Sequence, residues 1–187
     1  MPDSKSLHLA AAEVERLCDE LDGAPSWPRL MSHIDVARRA WVGRGILSVN
    51  VNVDAPERRD GEVLLQRIWS SDPLSYPIGG RKHKRMTPWT RTLIVDHKVY
   101  RTEGEAAMAE TFDDHILMAS LDLHAAVNIP ILDSDRLCVA IFNFMGAETA
   151  WNAQQVSALR LLATLARPWI LVEAAKVPHV VQSKDVP

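Results

Sequence analysis

Two apolar segments near the C-terminal end of the sequence, 124–132 and 136–145, flank a turn of polar residues over 133–136. Both segments are rich in β-branched or aromatic residues, a composition typical of buried β-strands. A connection this short joins consecutive strands as an antiparallel hairpin, because parallel strands need a crossover of a dozen or more residues. The sequence therefore predicts a fold built around an antiparallel sheet.

A second hairpin and several helices are predicted elsewhere. Residues 45–54 alternate apolar and polar side chains, and 62–69 return as a second strand after a turn. Three segments have apolar residues spaced three and four apart, as amphipathic helices do: 7–21, 28–41 and 151–172. Pro168 is expected to kink or end the last helix. Together these elements predict a single α+β domain with a mostly antiparallel sheet and helices covering one face.

The composition is that of an ordinary globular protein. The chain has 187 residues, of which 47% are hydrophobic and 24% charged, so it can bury a core without disulfides or a structural metal. We expect an N-terminal helix over 1–24, one domain over 25–175 and a disordered polar tail over 176–187. Cys18 and Cys138 show no redox or metal spacing, and each is expected to be a buried free thiol.

Charge and hydropathy bear on the cellular location of the protein and on its class of partner. A formal net charge of −3 argues against binding to nucleic acid or to an anionic membrane surface. No apolar run approaches the ~20 residues that span a bilayer, and the N-terminus is charged and amphipathic rather than a signal peptide. We therefore expect a cytoplasmic protein with neither a nucleic acid nor a membrane as its partner.

Residues 70–87 break the pattern of strands and helices. They show no apolar period, and they include Gly79-Gly80 followed by five consecutive basic or imidazole residues, 81–85. We interpret the segment as a long loop, and loops above about 12–15 residues are usually functional or disordered. A short helix is expected to follow it, with Thr87 as N-cap and Pro88 as the first helical residue.

The last third of the sequence resembles the GAF domain family. GAF domains show a strand with a V-P-I-like segment, here 127–131, a strand similar to G-V-L-N-L, here 139–144, and a helix of the L-x-x-L-A type, here 161–166. Segment 67–89 also looks like part of small stand-alone bacterial GAF proteins. The resemblance implies a sheet of about six strands, a ligand cavity between one sheet face and a lid of short helices and loops, and dimers formed through terminal helices.

GAF domains bind cyclic nucleotides, tetrapyrroles, amino acids or other small molecules, and three specific readings do not fit this sequence. The N-K-x-n-F-x3-D-E pattern of cyclic-nucleotide binders is missing, and 112–114 is only a faint echo of it. Neither cysteine is placed to attach a tetrapyrrole, and the clustered cysteines of free methionine sulfoxide reductases are missing. We therefore expect another small-molecule ligand and no cofactor.

Aromatic and basic side chains are the first candidates for the ligand site. Trp69, Tyr76 and Trp89 bracket the long loop and offer surfaces on which a planar ligand can stack. Packing of the loop onto the sheet would explain them as well. Arg81 or Lys82 is expected to meet an anionic group of the ligand, the alternative being that 81–85 is a solvated charged loop.

Polar residues in strands and loops complete the candidate set. Asn128 and Asn143 lie within apolar strands, so each needs a hydrogen-bond partner, which a ligand or neighbouring backbone would supply. Asp113 and Asp114 precede a short helix and would either cap it or bind the ligand. Ser71 is a lesser candidate, because no base is placed beside it.

Two other functions remain open. A small enzyme would use Asp113, Asp114 and His115 as acid–base groups. A pure interaction module would fill the cavity with its own side chains. We assign no catalytic residue and no metal site, and we expect a homodimer that binds a small, anionic molecule as a sensory or regulatory protein.

Overall fold

A computed structural model of the chain describes residues 11–23 and 26–181. These residues form a six-stranded sheet in the order β3-β2-β1-β6-β5-β4, in which every neighbouring pair is antiparallel. The strands are β1 (Gly45–Val53), β2 (Glu62–Ser70), β3 (Arg81–Arg85), β4 (Tyr100–Glu103), β5 (Ala125–Leu132) and β6 (Cys138–Gly146). Both predicted hairpins, β1–β2 and β5–β6, are confirmed.

Helices lie on both faces of the sheet. The long helices pack on one face, here called the helical face; they are α1 (Ala11–Asp22), α2 (Trp27–Trp41) and α6 (Ala153–Ala174). Short elements cover the other, here called the lid face; they are α3 (Pro88–Thr90), a π-helical turn (Arg91–Val95), α4 (Glu105–Thr111) and α5 (His115–Ser120). The predicted α+β architecture is confirmed. Within the described ranges, no helix has the length and hydropathy needed to cross a membrane.

Strand alternation divides the interior into two cores. On β1, Val49 and Val51 belong to the helical-face core. Ser48 and Asn50, which alternate with them along the strand, face the lid. Burial of each valine stabilises the fold by about 1.5–3 kcal/mol relative to exposure. Polar side chains at the alternating positions do not contribute this hydrophobic stabilisation. Their presence on the lid face indicates that this face has a role in addition to core packing.

A β-bulge decides which face each side chain at the end of β2 occupies. Val49 pairs with Trp69 and Asn50 pairs with Arg67, so Ile68 is the extra residue on β2. Because of this insertion Trp69 lies in the helical-face core and Arg67 lies on the lid face. Without the bulge the two side chains would share a face.

The prediction of a continuous loop over 70–87 is wrong, because Arg81–Arg85 is an edge strand that pairs with β2. The strand could not be predicted from the sequence, because all five side chains are basic or imidazole and no apolar alternation distinguishes its two faces. Backbone hydrogen bonds to β2 hold the strand in place. Its cationic side chains suit a sheet edge, where charge opposes pairing with another chain.

Pro168 does not end the last helix, which continues to Ala174. Leu162 and Ala166 are buried before the proline and Ile170 is buried after it. Packing on both sides of Pro168 therefore offsets the roughly 3 kcal/mol that an internal proline costs a helix.

The described part of the predicted disordered tail, 176–181, lies against β1. Val180 forms an antiparallel bridge with Val53 and packs against the helical-face core. Val181 is buried as well, so this part of the tail packs against the domain. Residues 182–187, and residues 7–10 of the predicted first helix, lie outside the described residues.

The two cysteines differ in their surroundings. Cys138 is buried in β6, as predicted, and burial raises the pKa of its thiol to about 12. Cys18 is exposed on α1, so its predicted burial is wrong. The buried side of α1 is marked instead by Leu17, the preceding residue. Both cysteines are free thiols.

Candidate ligand-binding site

A small cavity lies on the lid face, between the sheet and the short helices. Its volume is about 40 Å³, room for roughly three water molecules. Polar or charged side chains from five strands line it: Ser48, Asn50, Arg67, Lys82, Lys84, Asn128 and Asn143. Side chains of the lid, among them Tyr76, Trp89 and Phe112, close the remaining sides. The cavity is thus a polar site under an aromatic lid.

The alternation of β3 directs two lysines into this cavity. Lys82 pairs with Leu65 of β2 and Lys84 with Val63, and all four side chains are on the lid face. Lys84 is buried, and its ammonium group lies 5.9 Å from the centre of the Trp89 ring. Burial lowers the pKa of Lys82, although a neighbouring carboxylate opposes the shift. The edge strand therefore places one buried cation, Lys84, and one partly exposed cation, Lys82, at the cavity.

Each lysine also forms an ion pair with the segment between α4 and α5. The Lys82 ammonium is 2.5 Å from Oδ2 of Asp114, and the Lys84 ammonium is 3.1 Å from Oδ2 of Asp113. The Asp114 side chain is mostly shielded from solvent, at 22% exposure, whereas that of Asp113 is 89% exposed. The Lys82–Asp114 pair is therefore less screened by water than the Lys84–Asp113 pair.

Arg67 contributes the third cation and is only 6% exposed. Its Nη1 group donates to the carbonyl of Pro77 at 3.1 Å, and its guanidinium lies 5.0 Å from the centre of the Tyr76 ring. Burial lowers the pKa of Arg67 and raises that of Tyr76. Among the described residues, neither the Nε–H group of Arg67 nor the hydroxyl of Tyr76 has a hydrogen-bond partner. Two buried donors are thus available beside one cavity.

A chain of side-chain hydrogen bonds fixes another wall of the cavity. The indole N–H of Trp89 donates to Oδ1 of Asn128 at 3.0 Å, and Nδ2 of Asn128 donates to Oδ1 of Asn143 at 2.7 Å. Asn143 in turn donates to the carbonyl of Ile141 at 3.1 Å. Trp89 is held in place by α3, in which Thr87 is the N-cap and Pro88 the first helical residue, as the sequence predicts.

Five of the predicted site residues line the cavity: Tyr76, Lys82, Trp89, Asn128 and Asn143. Asp113 and Asp114 lie next to it through their ion pairs with the two lysines. The predicted alternative, that these aspartates cap α5, is wrong: Asp114 occupies the N-cap position, yet its side chain makes no capping hydrogen bond. The lysines compete successfully for both carboxylates.

The structure places the other three predicted residues away from the cavity. Trp69 is turned to the helical face by the β-bulge. The hydroxyl of Ser71 accepts a hydrogen bond from the backbone N–H of Leu47 at 3.0 Å and so extends the β1–β2 pairing. Arg81 points away from the lid, where it forms an ion pair with Glu57.

Two residues that the sequence interpretation missed are central to the geometry. Arg67 had a detectable signal, because Val63, Leu65 and Arg67 alternate on one strand and a lone cation on an apolar face needs a partner. Lys84 had none, since nothing in an entirely basic segment distinguishes it from its neighbours. The site thus depends on strand register, which sequence pattern did not reveal at β3.

The acid–base arrangement considered for an enzyme is not assembled around His115. Its Nδ1 atom lies 3.0 Å from the carbonyl oxygen of Phe112, and both neighbouring aspartates bind lysines. In the described part of the chain, no group of three or more His, Cys, Asp or Glu side chains is arranged to hold a metal ion.

A wider groove of about 400 Å³ lies between β5 and α6, and three arginines contribute to it: Arg136, Arg160 and Arg167. Arg167 already donates to the carbonyl of Leu132 at 2.9 Å. The groove is open to solvent, which weakens its electrostatic attraction for a ligand. The buried donors of the lid-face cavity provide the stronger indication of a binding site.

Comparison with known proteins defines the fold. No protein-family model and no curated protein matches the sequence. Solved structures do match. A GAF domain of a phosphoenolpyruvate-protein phosphotransferase from Coxiella burnetii has a TM-score of 0.57 and 13% identity, covering 90% of this chain and 92% of its own. The phycocyanobilin-bound GAF domain of a cyanobacterial phytochrome has a TM-score of 0.56 and 16% identity, covering 90% and 97%.

The chromophore-binding domain of a bacteriophytochrome from R. palustris is also similar, with a TM-score of 0.57, 15% identity and 89% of this chain covered. The present chain spans 62% of that longer domain. These matches extend over about nine-tenths of the chain at TM-scores above 0.5, which shows a shared fold. The chain has the fold of a GAF domain.

Proposed function

We propose that the chain is a cytoplasmic bacterial sensory or regulatory protein that binds a small anion in the lid-face cavity. The observation that carries the proposal is the buried Nε–H group of Arg67, which has no hydrogen-bond partner in the described residues. A buried donor left unpaired costs about 1–3 kcal/mol, and more on a charged group. An anionic oxygen is the acceptor that pairs best with a guanidinium.

The charge balance around the cavity supports an anionic ligand. Three cations, Arg67, Lys82 and Lys84, face the cavity, and the paired aspartates offset only two of these charges. One of the two carboxylates, that of Asp113, is almost fully exposed and therefore strongly screened. The remaining positive charge acts in a poorly solvated site, where attraction for an anion exceeds that at a surface.

The volume supports a ligand of few atoms. A cavity of about 40 Å³ is far smaller than the roughly 300–1,000 Å³ of pockets that hold drug-sized ligands. A tetrapyrrole such as the phycocyanobilin of the similar phytochrome domain is much too large for it. Compact oxoanions, such as acetate or inorganic phosphate, match both the size and the donors. The sensory role itself rests on analogy with phytochrome domains of the same fold.

Calorimetric titration of the full chain with acetate and with inorganic phosphate tests the proposal. We expect at least one of these anions to bind, and Arg67→Met to lower its affinity by about tenfold or more, the loss expected for a charge-assisted hydrogen bond. Arg81→Met is the matched control, because Arg81 lies on the other side of β3 and should leave affinity within about twofold.

The proposal fails if the wild-type chain binds neither anion, a result that would favour an interaction module with a self-filled cavity. Equal affinity of the wild type and Arg67→Met would move the binding site away from this cavity.

We infer further that two copies of the chain associate through α6. Leu161, Trp169 and Val172 remain exposed along one side of this helix. The half-buried Leu165 lies between the first two, so successive residues of this apolar stripe are four, four and three apart. A contiguous exposed stripe of large apolar residues is typical of an interface rather than of a free surface. A second copy would present the same stripe and satisfy two-fold symmetry.

A further inference from the structure

Asp114 occupies an unusual position beside the cavity. Its Oδ2 atom is 2.5 Å from the Lys82 ammonium, but its Oδ1 atom is buried and lacks a hydrogen-bond partner among residues 11–23 and 26–181. A carboxylate accepts about four hydrogen bonds when fully satisfied. Desolvation of a half-satisfied carboxylate costs free energy that one ion pair does not fully recover. Asp114 therefore keeps one buried acceptor unpaired while it holds Lys82.

Asp114 also lies within the electrostatic field of the free donors. Its charge acts to raise the pKa of Arg67 and that of Tyr76, in addition to binding Lys82. One carboxylate of the chain thus interacts with the same three groups that a bound anion would use. Its placement is that of an internal stand-in for the anionic group of a ligand.

The segment that carries Asp114 is anchored independently of this ion pair. Phe112 on one side of it and Met118 on the other are buried in the lid-face core. The carbonyl of Phe112 is further held by the His115 ring at 3.0 Å. Release of Asp114 would therefore change the backbone between α4 and α5 while both helices stay packed on the sheet.

We propose that Asp114 is an internal competitor for the cavity, and that an anion binds by displacing its carboxylate from Lys82. Displacement releases the turn at Asp113 and Asp114, while Phe112 and Met118 stay packed in the lid-face core. This inference rests on the proposed anion site and adds the way in which binding is converted into a structural change. The signal is a local opening at the lid, on the side where α5 exposes Ile116 and Leu117.

Titration of Asp114→Asn with acetate and inorganic phosphate provides the first test. Loss of the internal competitor should raise anion affinity by about tenfold, because the charge that holds Lys82 is removed while the side-chain shape is kept. Asp113→Asn is the matched control: it removes the same charge one residue away, from an exposed side chain, and should raise affinity by no more than about twofold.

Hydrogen exchange of the wild-type chain provides the second test and needs no variant. The His115 amide donates to the carbonyl of Phe112 at 3.1 Å across this turn. Saturation with the anion that binds should speed exchange of this amide by about tenfold or more, while exchange in β5 and β6 stays unchanged or slows. In Asp114→Asn the same amide should exchange quickly without any anion. A purely electrostatic effect of the substitution would raise affinity without this change in exchange.

Three results overturn the inference, and they are distinguishable. Binding by the wild type with equal or lower affinity in Asp114→Asn would show that Asp114 does not compete with the ligand. Slower exchange of the His115 amide on anion binding would show closure instead of release. Absence of anion binding by both the wild type and the variant would overturn the proposed anion site together with this inference.

Discussion

Asn128 connects the sheet to the lid through its amide. Its oxygen accepts from the Trp89 indole, and its nitrogen donates to Asn143 on the neighbouring strand. Both asparagines are buried at directly paired positions of β5 and β6. Because an unpaired polar group in such a position is costly, the pair fixes the orientation of Trp89 over the cavity.

Removal of the Asn128 amide should destabilise the chain. Asn128→Ala leaves the indole N–H of Trp89 and the side-chain oxygen of Asn143 buried without their partner. We expect the free energy of unfolding to fall by about 2–4 kcal/mol. Urea denaturation measures this loss. In Trp89→Phe the indole donor is already absent, so adding Asn128→Ala should cost less, by about 1 kcal/mol. Equal costs in the two backgrounds would contradict the described hydrogen bond.

Individual residues were predictable where they broke an apolar pattern. Asn128 and Asn143 were recognised because an amide within an apolar strand needs a partner, and the structure supplies that partner from the opposite strand and from Trp89. Arg67 followed the same logic on β2 but was overlooked. The face that Trp69 occupies could not be predicted, because neither periodicity nor composition reveals the bulge at Ile68.

At the scale of elements, the hairpins and long helices were predictable and β3 was not. Residues of β1 alternate between apolar and polar, and β5 and β6 are nearly continuous apolar runs; in both hairpins a polar turn joins the two strands. β3 carries no such signal, because the residues on both of its faces are basic or imidazole. Only the pairing with β2 determines that Lys82 and Lys84 face the lid. Strand pairing, a non-local property, gives this segment its structure.

Association through α6 can be tested on the helix itself. Trp169→Glu places a charge in the exposed apolar stripe, where burial against a second copy would be strongly unfavourable. Sedimentation equilibrium of the wild type should give twice the chain mass of 20.9 kDa, and the variant should approach the single-chain mass.

Arg160→Glu serves as control, because it introduces the same side chain at another exposed position of α6 and should leave the dimer intact. A wild-type chain that sediments as a monomer would remove the proposed dimer.

In the whole molecule, the two faces of the sheet have separate tasks. The helical face carries the larger apolar core, which includes buried residues of α2 and α6, together with the buried ion pair of Arg38 and Asp35. The lid face combines a smaller apolar core with the polar cavity. The fold was predictable because both faces obey strand alternation, whereas the cation cluster was not, because it forms only where β2 and β3 pair. The proposed anion site therefore lies where the pairing of β2 with β3 brings together cations that the sequence pattern does not connect.

The most direct test of the anion site is an NMR titration of the arginine Nε–H groups with inorganic phosphate and with acetate. The signal of Arg67, identified by its loss in Arg67→Met, should shift progressively and saturate as the unpaired donor gains an anionic oxygen. The signal of Arg38 should not move, since its Nε–H already donates to Asp35 at 3.1 Å. An Arg67 signal that stays unchanged up to high anion concentration would contradict the account.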